Sequence, residues 1–130
     1  MNKEINCSNQ IDAYLNDFTL RHYQIKTTYL IKKNKPKFKG NFLDIGCGNG
    51  VYINFLSNKF KESSFTGVDI SRKLINLAKK NNSNENSYFK QTSIDKYKPI
   101  IKFDIVNASG VLSNFINFKF PLLKWFNLLE

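Results

Sequence analysis

The stretch of sequence that decides the fold reads FLDIGCGNG and spans residues 42–50. An apolar run that contains one acidic residue passes into three glycines, each separated from the next by one residue. Apolar residues at helical spacing begin directly after it, at Val51. This pattern predicts a buried strand, a tight turn whose backbone approaches a ligand, and a helix whose N-terminus points at the same place.

The composition indicates a single globular domain. The chain has 130 residues, of which 42% are hydrophobic and 15% aromatic, and this is enough for a sizeable core. Two cysteines, Cys7 and Cys47, are too few for a disulfide framework, and no long apolar run suggests a membrane span. We therefore expect a cytoplasmic protein with free thiols, and no metal site is predicted.

The formal net charge of +10 raises the question of an anionic partner such as RNA, because clustered cations gain from counterion release. However, Arg21 and Arg72 are the only arginines, and lysine is abundant together with asparagine and isoleucine along the chain. Phosphate recognition usually recruits arginine for its planar fork. Nucleic acid is therefore disfavoured as the main partner and stays a secondary hypothesis.

Apolar spacing from Ile11 to Tyr29 predicts one amphipathic helix of about five turns, with His22 packed on its apolar stripe. The elements that should follow are strand 42–45, helix 51–60, strand 64–68, a helix capped by Ser71, strand 88–91, strand 103–108 and a helical segment around 121–129. Strands that alternate with helices predict an α/β fold, a Rossmann-like, doubly wound, mostly parallel sheet. Residues 1–36 should form an N-terminal helical segment and residues 37–130 the ligand-binding domain.

Two ligand classes use a glycine turn after the first strand of such a sheet, namely dinucleotides and S-adenosylmethionine. In the dinucleotide fingerprint two residues separate the second and third glycines, whereas here Asn49 alone separates Gly48 from Gly50. Asp44, two residues before the first glycine, would repel a pyrophosphate but suits a ligand that carries an ammonium and a sulfonium group. Asp69 suits ribose hydroxyls in either class. The turn therefore favours the methyl donor over a nicotinamide dinucleotide.

Three segments resemble motifs of the class I S-adenosylmethionine-dependent methyltransferases. LDIGCGNG at residues 43–50 is similar to their motif I, and GVDIS at residues 67–71 to their second motif. FDIV at residues 103–106, with ASGVL at residues 108–112, resembles their fourth motif. The motifs occur in the family's order and spacing over roughly residues 10–129. The resemblance implies a methyltransferase-type Rossmann-like sheet and S-adenosyl-L-methionine as the co-substrate.

The resemblance also implies roles for individual residues. The glycines would let the backbone approach the methionine moiety with Asp44 near its ammonium group, while Asp69 would hold the ribose and Ile70 would pack on the adenine. Ser93 stands where the family usually offers an acidic residue to the adenine amino group. The complete implied donor-binding set is Asp44, Gly46, Cys47, Gly48, Gly50, Asp69, Ile70, Ser93, Ile94, Asn107 and Ser109.

Methyl transfer is an in-line displacement, so a general base is needed only if the acceptor is protonated. His22 and Tyr23 are the candidates for such a catalytic role, and plain packing is the alternative for both. Residues 107–110 read NASG rather than the NPPY type that amide and exocyclic-amine methyltransferases use. The resemblance therefore implies a small-molecule acceptor and disfavours adenine or glutamine targets.

The resemblance further implies three strands beyond Glu130, so the expected sheet is truncated after its fourth strand and the following helix, in the order 3-2-1-4. The unpaired edge of the fourth strand would then invite a homodimer. Two alternatives to a methyltransferase stay open. A non-catalytic S-adenosylmethionine-binding or interaction module would bind the donor without turnover, and an NAD-dependent oxidoreductase is disfavoured by Asp44 and by the glycine spacing.

Overall fold

The computed structural model describes residues 15, 17–109, 125 and 127–129. The strands are β1 Asn41–Ile45, β2 Ser64–Asp69, β3 Ser87–Gln91 and β4 Ile105–Asn107, and the helices are α1 His22–Asn34, α2 Val51–Lys59 and α3 Arg72–Asn81. All strand pairs are parallel, and the four strands follow the order β3-β2-β1-β4. The predicted Rossmann-like parallel sheet and its strand order are confirmed.

β1 lies at the point where the strand order reverses. The chain proceeds from β1 outward to β2 and β3, and then returns to place β4 on the other side of β1. In an open parallel sheet, ligands bind outside the carboxyl ends of the strands at this switch point. The pairing register brings Gly67 of β2 and Asn107 of β4 opposite Asp44 at this edge.

The sheet separates two apolar clusters. Side chains alternate between the faces of a strand, so the fully buried neighbours Phe42 and Leu43 belong to different clusters. One cluster joins β1 and β2 to α2 and α3, with Tyr52 and Ile75 among its buried members. The other contains Val68, Phe103 and, from the end of the chain, Trp125 and Leu128. Both faces of the sheet are therefore covered.

The prediction of one helix from Ile11 to Tyr29 is wrong in its described part. Residues 17–21 are not helical, and α1 begins only at His22. The Asp17 carboxylate accepts hydrogen bonds from the backbone N–H (3.0 Å) and the hydroxyl (2.6 Å) of Thr19. The Gln24 side chain accepts one from the Arg21 N–H (2.8 Å). The Asp17 bonds compete with helical ones, and the Gln24 bond caps the start of α1 at Arg21, so residues 17–21 remain outside the helix.

α1 also presents a different face to the core from the one that its apolar spacing predicts. Ile25 and Tyr29 are 53% and 63% exposed, and His22 is exposed as well. The buried residues of α1 are Thr28 and Ile31. The Thr28 hydroxyl hydrogen-bonds to the buried Tyr52 hydroxyl (3.2 Å) and Ile31 joins the first apolar cluster, so these two residues define the buried face of the helix.

The predicted helical segment around 121–129 falls mostly outside the described residues, and its described end differs from the prediction. Asn127 and Leu128 form a turn, and Leu129 pairs with Phe103 in a parallel bridge. The Phe103 N–H donates to the Leu128 carbonyl (3.0 Å), whereas the Asp104 N–H donates to the carbonyl of Asn41, the first residue of β1 (2.9 Å). Leu128 and Leu129 therefore lie beside the edge of the fourth strand that faces away from β1. Among the described residues, no helix has the length and apolar character of a membrane span.

Candidate functional site

The turn between β1 and α2 is held by the backbone of β2. The N–H groups of Gly46 and Cys47 both donate to the Val68 carbonyl, at 2.8 and 3.1 Å. Gly46, Gly48 and Gly50 have φ angles of 73°, 57° and 79°, in the left-handed region that side chains disfavour. The alternating glycines thus form one tight, fixed turn at the carboxyl edge of the sheet, as the sequence predicts.

Two of these glycines serve different purposes. A Cβ atom on Gly48 would meet no atom of the described residues within 4 Å, so this part of the backbone borders open space in the described part of the chain. A Cβ atom on Gly50 would lie 2.8 Å from the Cβ of Ala78 and 2.9 Å from the ring of Phe89. Gly48 therefore leaves room for a ligand, whereas Gly50 lets the start of α2 pack against α3 and β3.

Cys47 contributes its backbone to the turn. Its side chain is buried in the apolar cluster and lies against Gly67. Burial, with the nearby charges of Asp44 and Asp69, raises the pKa of the thiol well above its usual value. Because the thiolate is the reactive form of cysteine, this thiol is chemically inert. Cys7 lies outside the described residues.

Asp44 is a carboxyl group buried near the end of β1, where it is only 4% exposed. Its Oδ1 accepts a hydrogen bond from Asn107 Nδ2 (2.7 Å), and Asn107 Oδ1 accepts one from the Ser109 hydroxyl (2.8 Å). Burial raises the pKa of Asp44 to about 7, against the lowering effect of the Asn107 bond. Neither ion pair in the described part of the chain includes Asp44. A buried carboxyl group of this kind suits a cationic ligand group.

Asp69, at the end of β2, ties the glycine turn to the next helix. Its Oδ2 accepts from the Gly48 N–H and its Oδ1 from the Ser71 N–H, both at 2.9 Å. Burial raises the pKa of Asp69, and these backbone bonds oppose the rise. The backbone of Ile70 also donates to this carboxylate, and the two oxygens together keep acceptor capacity for a ligand hydroxyl. Ile70, the next residue, is 45% exposed at the same edge.

The residues after β3 complete this edge. The Gln91 side chain donates to the Ile70 carbonyl (3.1 Å) and so links the ends of β3 and β2. Ser93 is half-buried, and its carbonyl accepts from the N–H groups of Lys96 and Tyr97. Ile94 is buried in the second apolar cluster, so its side chain supports the site from within the core.

The two catalytic candidates lie apart from this cluster along the chain and at the surface. His22 is the exposed first residue of α1, which corrects the expectation that it packs on an apolar stripe. Tyr23 is 38% exposed. Their catalytic role stays a prediction.

Asn49, which was not among the residues predicted for the site, is 5% exposed inside the glycine turn. Its Nδ2 donates to the Asp17 carbonyl (2.7 Å), and its Oδ1 accepts from the Val51 N–H (3.2 Å). An asparagine whose side chain accepts from the N–H two residues further on forms an Asx turn, and asparagine in a glycine-rich segment is a turn signal that was visible in the sequence. The contact with Asp17 was not, because it joins segments 32 residues apart.

The arrangement combines two carboxyl groups, at the ends of neighbouring parallel strands, with a backbone turn that borders open space. One carboxyl group is buried without a cationic partner among the described residues, and the other has lone pairs for hydroxyl groups. Together they can hold a ligand that carries a cationic group and ribose hydroxyls. No group of three or more cysteine, histidine or acidic residues in the described part could hold a metal ion.

Known proteins are similar to this chain in sequence and in fold. A methyltransferase-domain family model matches residues 43–130. Malonyl-[acyl-carrier protein] O-methyltransferase 2 of Ilyobacter polytropus is 37% identical over 91 residues, which are 69% of this chain and 34% of that protein. Release factor glutamine methyltransferase of Fusobacterium nucleatum is 39% identical over 70 residues, or 51% of this chain and 20% of that protein.

Solved structures of methyltransferases resemble the fold of this chain. The plantazolicin methyltransferase BpumL in complex with SAH has a TM-score of 0.77 at 21% identity, over 94% of this chain and 49% of that one. PKMT2 from Rickettsia typhi in complex with AdoHcy has a TM-score of 0.63 at 33% identity, over 71% of this chain and 19% of that one. The chain thus spans about a third of the first curated relative and about half of the first solved one. By its family match, it belongs to the class I S-adenosylmethionine-dependent methyltransferases.

Proposed function

We propose that this chain binds S-adenosyl-L-methionine, the co-substrate of its family, at the glycine turn and supports methyl transfer to a small-molecule acceptor. The observation that carries the proposal is the buried Asp44 carboxyl group, which has no cationic partner among the described residues and lies near the turn at Gly48. An ammonium group is the partner that such a carboxylate lacks.

The donor fits the residues at this edge. The Asp44 carboxylate would accept a hydrogen bond from the ammonium group of the donor, and the Asp69 carboxylate would accept from its ribose hydroxyls. The open backbone at Gly48 would border the methionine moiety. Ile70 offers an exposed apolar surface to the adenine, and Ser93 would reach the adenine amino group. The turn itself, with Gly46, Cys47 and Gly50, keeps these groups in register, and Ile94 supports them from the core.

The reaction needs alignment more than proton transfer. A lone pair of the acceptor forms a bond to the methyl carbon while the carbon–sulfur bond breaks, so the neutral thioether leaves and the acceptor gains the methyl group. Holding the two reactants in line and free of water supplies much of the rate. An acceptor that is already ionised, such as a carboxylate, needs no base, and this suits a site whose one histidine, His22, is exposed on α1.

The names of the relatives point to the acceptors that should be tested first. Three of the curated relatives are named malonyl-[acyl-carrier protein] O-methyltransferases. We infer that a carboxylate oxygen on a small or carrier-linked acid is the first acceptor class for this chain. Nucleic acid remains the secondary hypothesis, and the salt dependence of binding would reveal it.

The test uses the full chain, a methyl-labelled donor and a panel of acids that includes malonyl-loaded acyl carrier protein. We expect labelled methyl ester in the presence of one class of acid, and less of it with Asp69→Asn. Donor binding without turnover on any acceptor would favour the non-catalytic binding module instead. Absence of donor binding would contradict the proposal as a whole.

A further inference from the structure

We propose that Asn107 and Ser109 are positioning residues that act through Asp44, and that they hold its carboxylate in the orientation that accepts the ammonium group of the donor. The inference rests on the proposed function, because it deepens the role of the same site. It replaces the expectation that these two residues themselves contact the donor. The residues lie at the end of β4, on the side of β1 opposite to Asp69.

The three side chains form a continuous chain of hydrogen bonds. The Ser109 hydroxyl donates to Asn107 Oδ1 (2.8 Å), and Asn107 Nδ2 donates to Asp44 Oδ1 (2.7 Å). Asn107 is 8% exposed and lies directly opposite Asp44 in the parallel register of β1 and β4. The sheet itself thus fixes the distance between the amide and the carboxylate.

The amide of Asn107 can make this pair of bonds in one orientation only. If it were turned by 180°, its oxygen would face the carboxylate of Asp44 and its NH₂ group would leave that carboxylate without a donor. The Ser109 hydroxyl favours the observed orientation because it donates to the amide oxygen. Ser109 therefore acts one step further from the carboxylate than Asn107 does.

The ionised form of Asp44 is stabilised by Asn107, whereas the other ionisable groups around Asp44 do not favour its negative charge. The charge of Asp69 opposes ionisation of Asp44, and the Cys47 thiol and the Tyr52 hydroxyl are kept neutral by burial. Among the described residues, the bond from Asn107 is the one hydrogen bond that Asp44 accepts, and it engages Oδ1 alone. Oδ2 accepts no hydrogen bond from the described residues, so it is left for the ammonium group of the donor.

The experiment follows the ionisation of Asp44 and the affinity for S-adenosylhomocysteine in the full chain. The carboxyl ¹³C signal of Asp44 is titrated by NMR in the ligand-free protein, and calorimetry gives the affinity from about pH 5.5 to about pH 8.5. Asn107→Ala should move the carboxyl midpoint upward by about one pH unit and move the loss of affinity at low pH by the same amount. Ser109→Ala should shift both in the same direction by less.

Two matched variants separate positioning from structural damage. Ser109→Thr keeps the hydroxyl and should retain the wild-type midpoint. If Asn107→Ala does not fold, the comparison of Ser109→Ala with Ser109→Thr tests whether the hydrogen-bond chain acts on Asp44. Asn86→Ala removes an amide that donates to the carbonyls of Ser57, Phe60 and Ser63. This amide lies at the amino ends of β2 and β3, away from the glycine turn. The substitution should lower stability without moving the midpoint.

The outcomes are distinct. Equal loss of affinity at every pH with an unchanged carboxyl midpoint in Asn107→Ala would overturn the inference, since a merely structural residue behaves in this way. A wild type that does not bind S-adenosylhomocysteine would overturn the proposed function. The carboxyl titration of the ligand-free chain would still decide whether Asn107 acts on Asp44.

Discussion

Asp44 illustrates, at the scale of one residue, how a group suited to binding a cation opposes the stability of the protein that carries it. The carboxyl group is buried, its pKa is raised to about 7, and its one described hydrogen bond comes from an amide. A charged group in this environment costs free energy until a cation arrives. The same property that makes the site suitable for an ammonium group therefore makes it unfavourable when it is empty.

Asp44→Asn should stabilise the ligand-free protein at high pH. The folded-state pKa of about 7 lies above the ordinary value of 3.8, so the folded protein binds more protons between these values and loses stability as the pH rises through them. Asparagine does not titrate, and its oxygen can still accept from Asn107. We expect the variant to be more stable by about 2–4 kcal/mol at pH 8 and nearly equal to the wild type at pH 4. Urea unfolding at both pH values measures this, and a constant difference would contradict it.

Gly48 and Gly50 should respond differently to the same substitution. Among residues 17–109 and the described end of the chain, Gly48→Ala meets no atom within 4 Å and should cost only about 1–2 kcal/mol for its left-handed backbone, but its methyl group would enter the space proposed for the donor. Gly50→Ala adds a clash with Ala78 and Phe89 and should cost about 2–4 kcal/mol in total. Unfolding and calorimetry on both variants distinguish them. Equal losses of stability, or full donor affinity in Gly48→Ala, would refute the assignment.

At this scale the sequence predicted where the candidate residues lie better than how they interact. Asp44, Asp69 and the glycines belong to one contiguous stretch or to a strand end at a known spacing, so their placement follows from local pattern. The bond between Asp44 and Asn107 joins residues 63 apart and depends on the register of β1 and β4. No local pattern encodes that register.

Among the elements, α1 departs most from the sequence prediction. The apolar spacing from Ile11 to Tyr29 suggested one continuous helix, but the local bonds of Asp17 interrupt it and the Gln24 bond begins α1 anew after Arg21. Periodicity also misjudged the buried face, because the polar Thr28 faces the core through its bond with Tyr52. Strands and helices of the βαβ units were predicted well, since there the apolar pattern and the caps agree.

Asn49→Ala should loosen the segment that precedes α1. The substitution removes both the bond to the Asp17 carbonyl and the bond from the Val51 N–H, so we expect a loss of stability of about 1–2 kcal/mol and faster amide exchange in residues 17–34. Hydrogen exchange followed by mass spectrometry measures the exchange rates in residues 17–34 and in the glycine turn, and urea unfolding measures the loss of stability. Asn58→Ala is the matched control, because the described bonds of that exposed amide go to Asn54 on the same helix and to Lys61. Equal exchange in the two variants would argue against the role of Asn49.

For the molecule as a whole, the parallel sheet is the feature that sequence and structure agree on, and its outer edge is where they differ. The order β3-β2-β1-β4 follows from the alternation of strands and helices. Leu129 beside Phe103 was expected to be helical, because a short apolar segment does not reveal its type by periodicity alone. The division at residue 36 and a homodimer through the sheet edge stay predictions.

Trp125 should report on the unfolding of the entire sheet. It is the only tryptophan, and it packs in the second apolar cluster with Leu43, Val68 and Phe103 from three parts of the chain. We therefore expect its fluorescence and the far-ultraviolet circular dichroism to give one coincident transition in urea. Trp125→Ala should lower the free energy of unfolding by about 3–5 kcal/mol. A fluorescence transition that comes clearly before the loss of secondary structure would contradict this packing.

The most direct test of the whole account is a calorimetric titration of S-adenosylhomocysteine into the full chain and into Asp44→Asn at about pH 8, where Asp44 is ionised. We predict one site per chain in the wild type and an affinity that falls about a hundredfold in the variant, because the ammonium group loses its charged partner. No binding by the wild type, or equal binding by the two proteins, would contradict the claim that this glycine turn and its carboxylate hold the methyl donor.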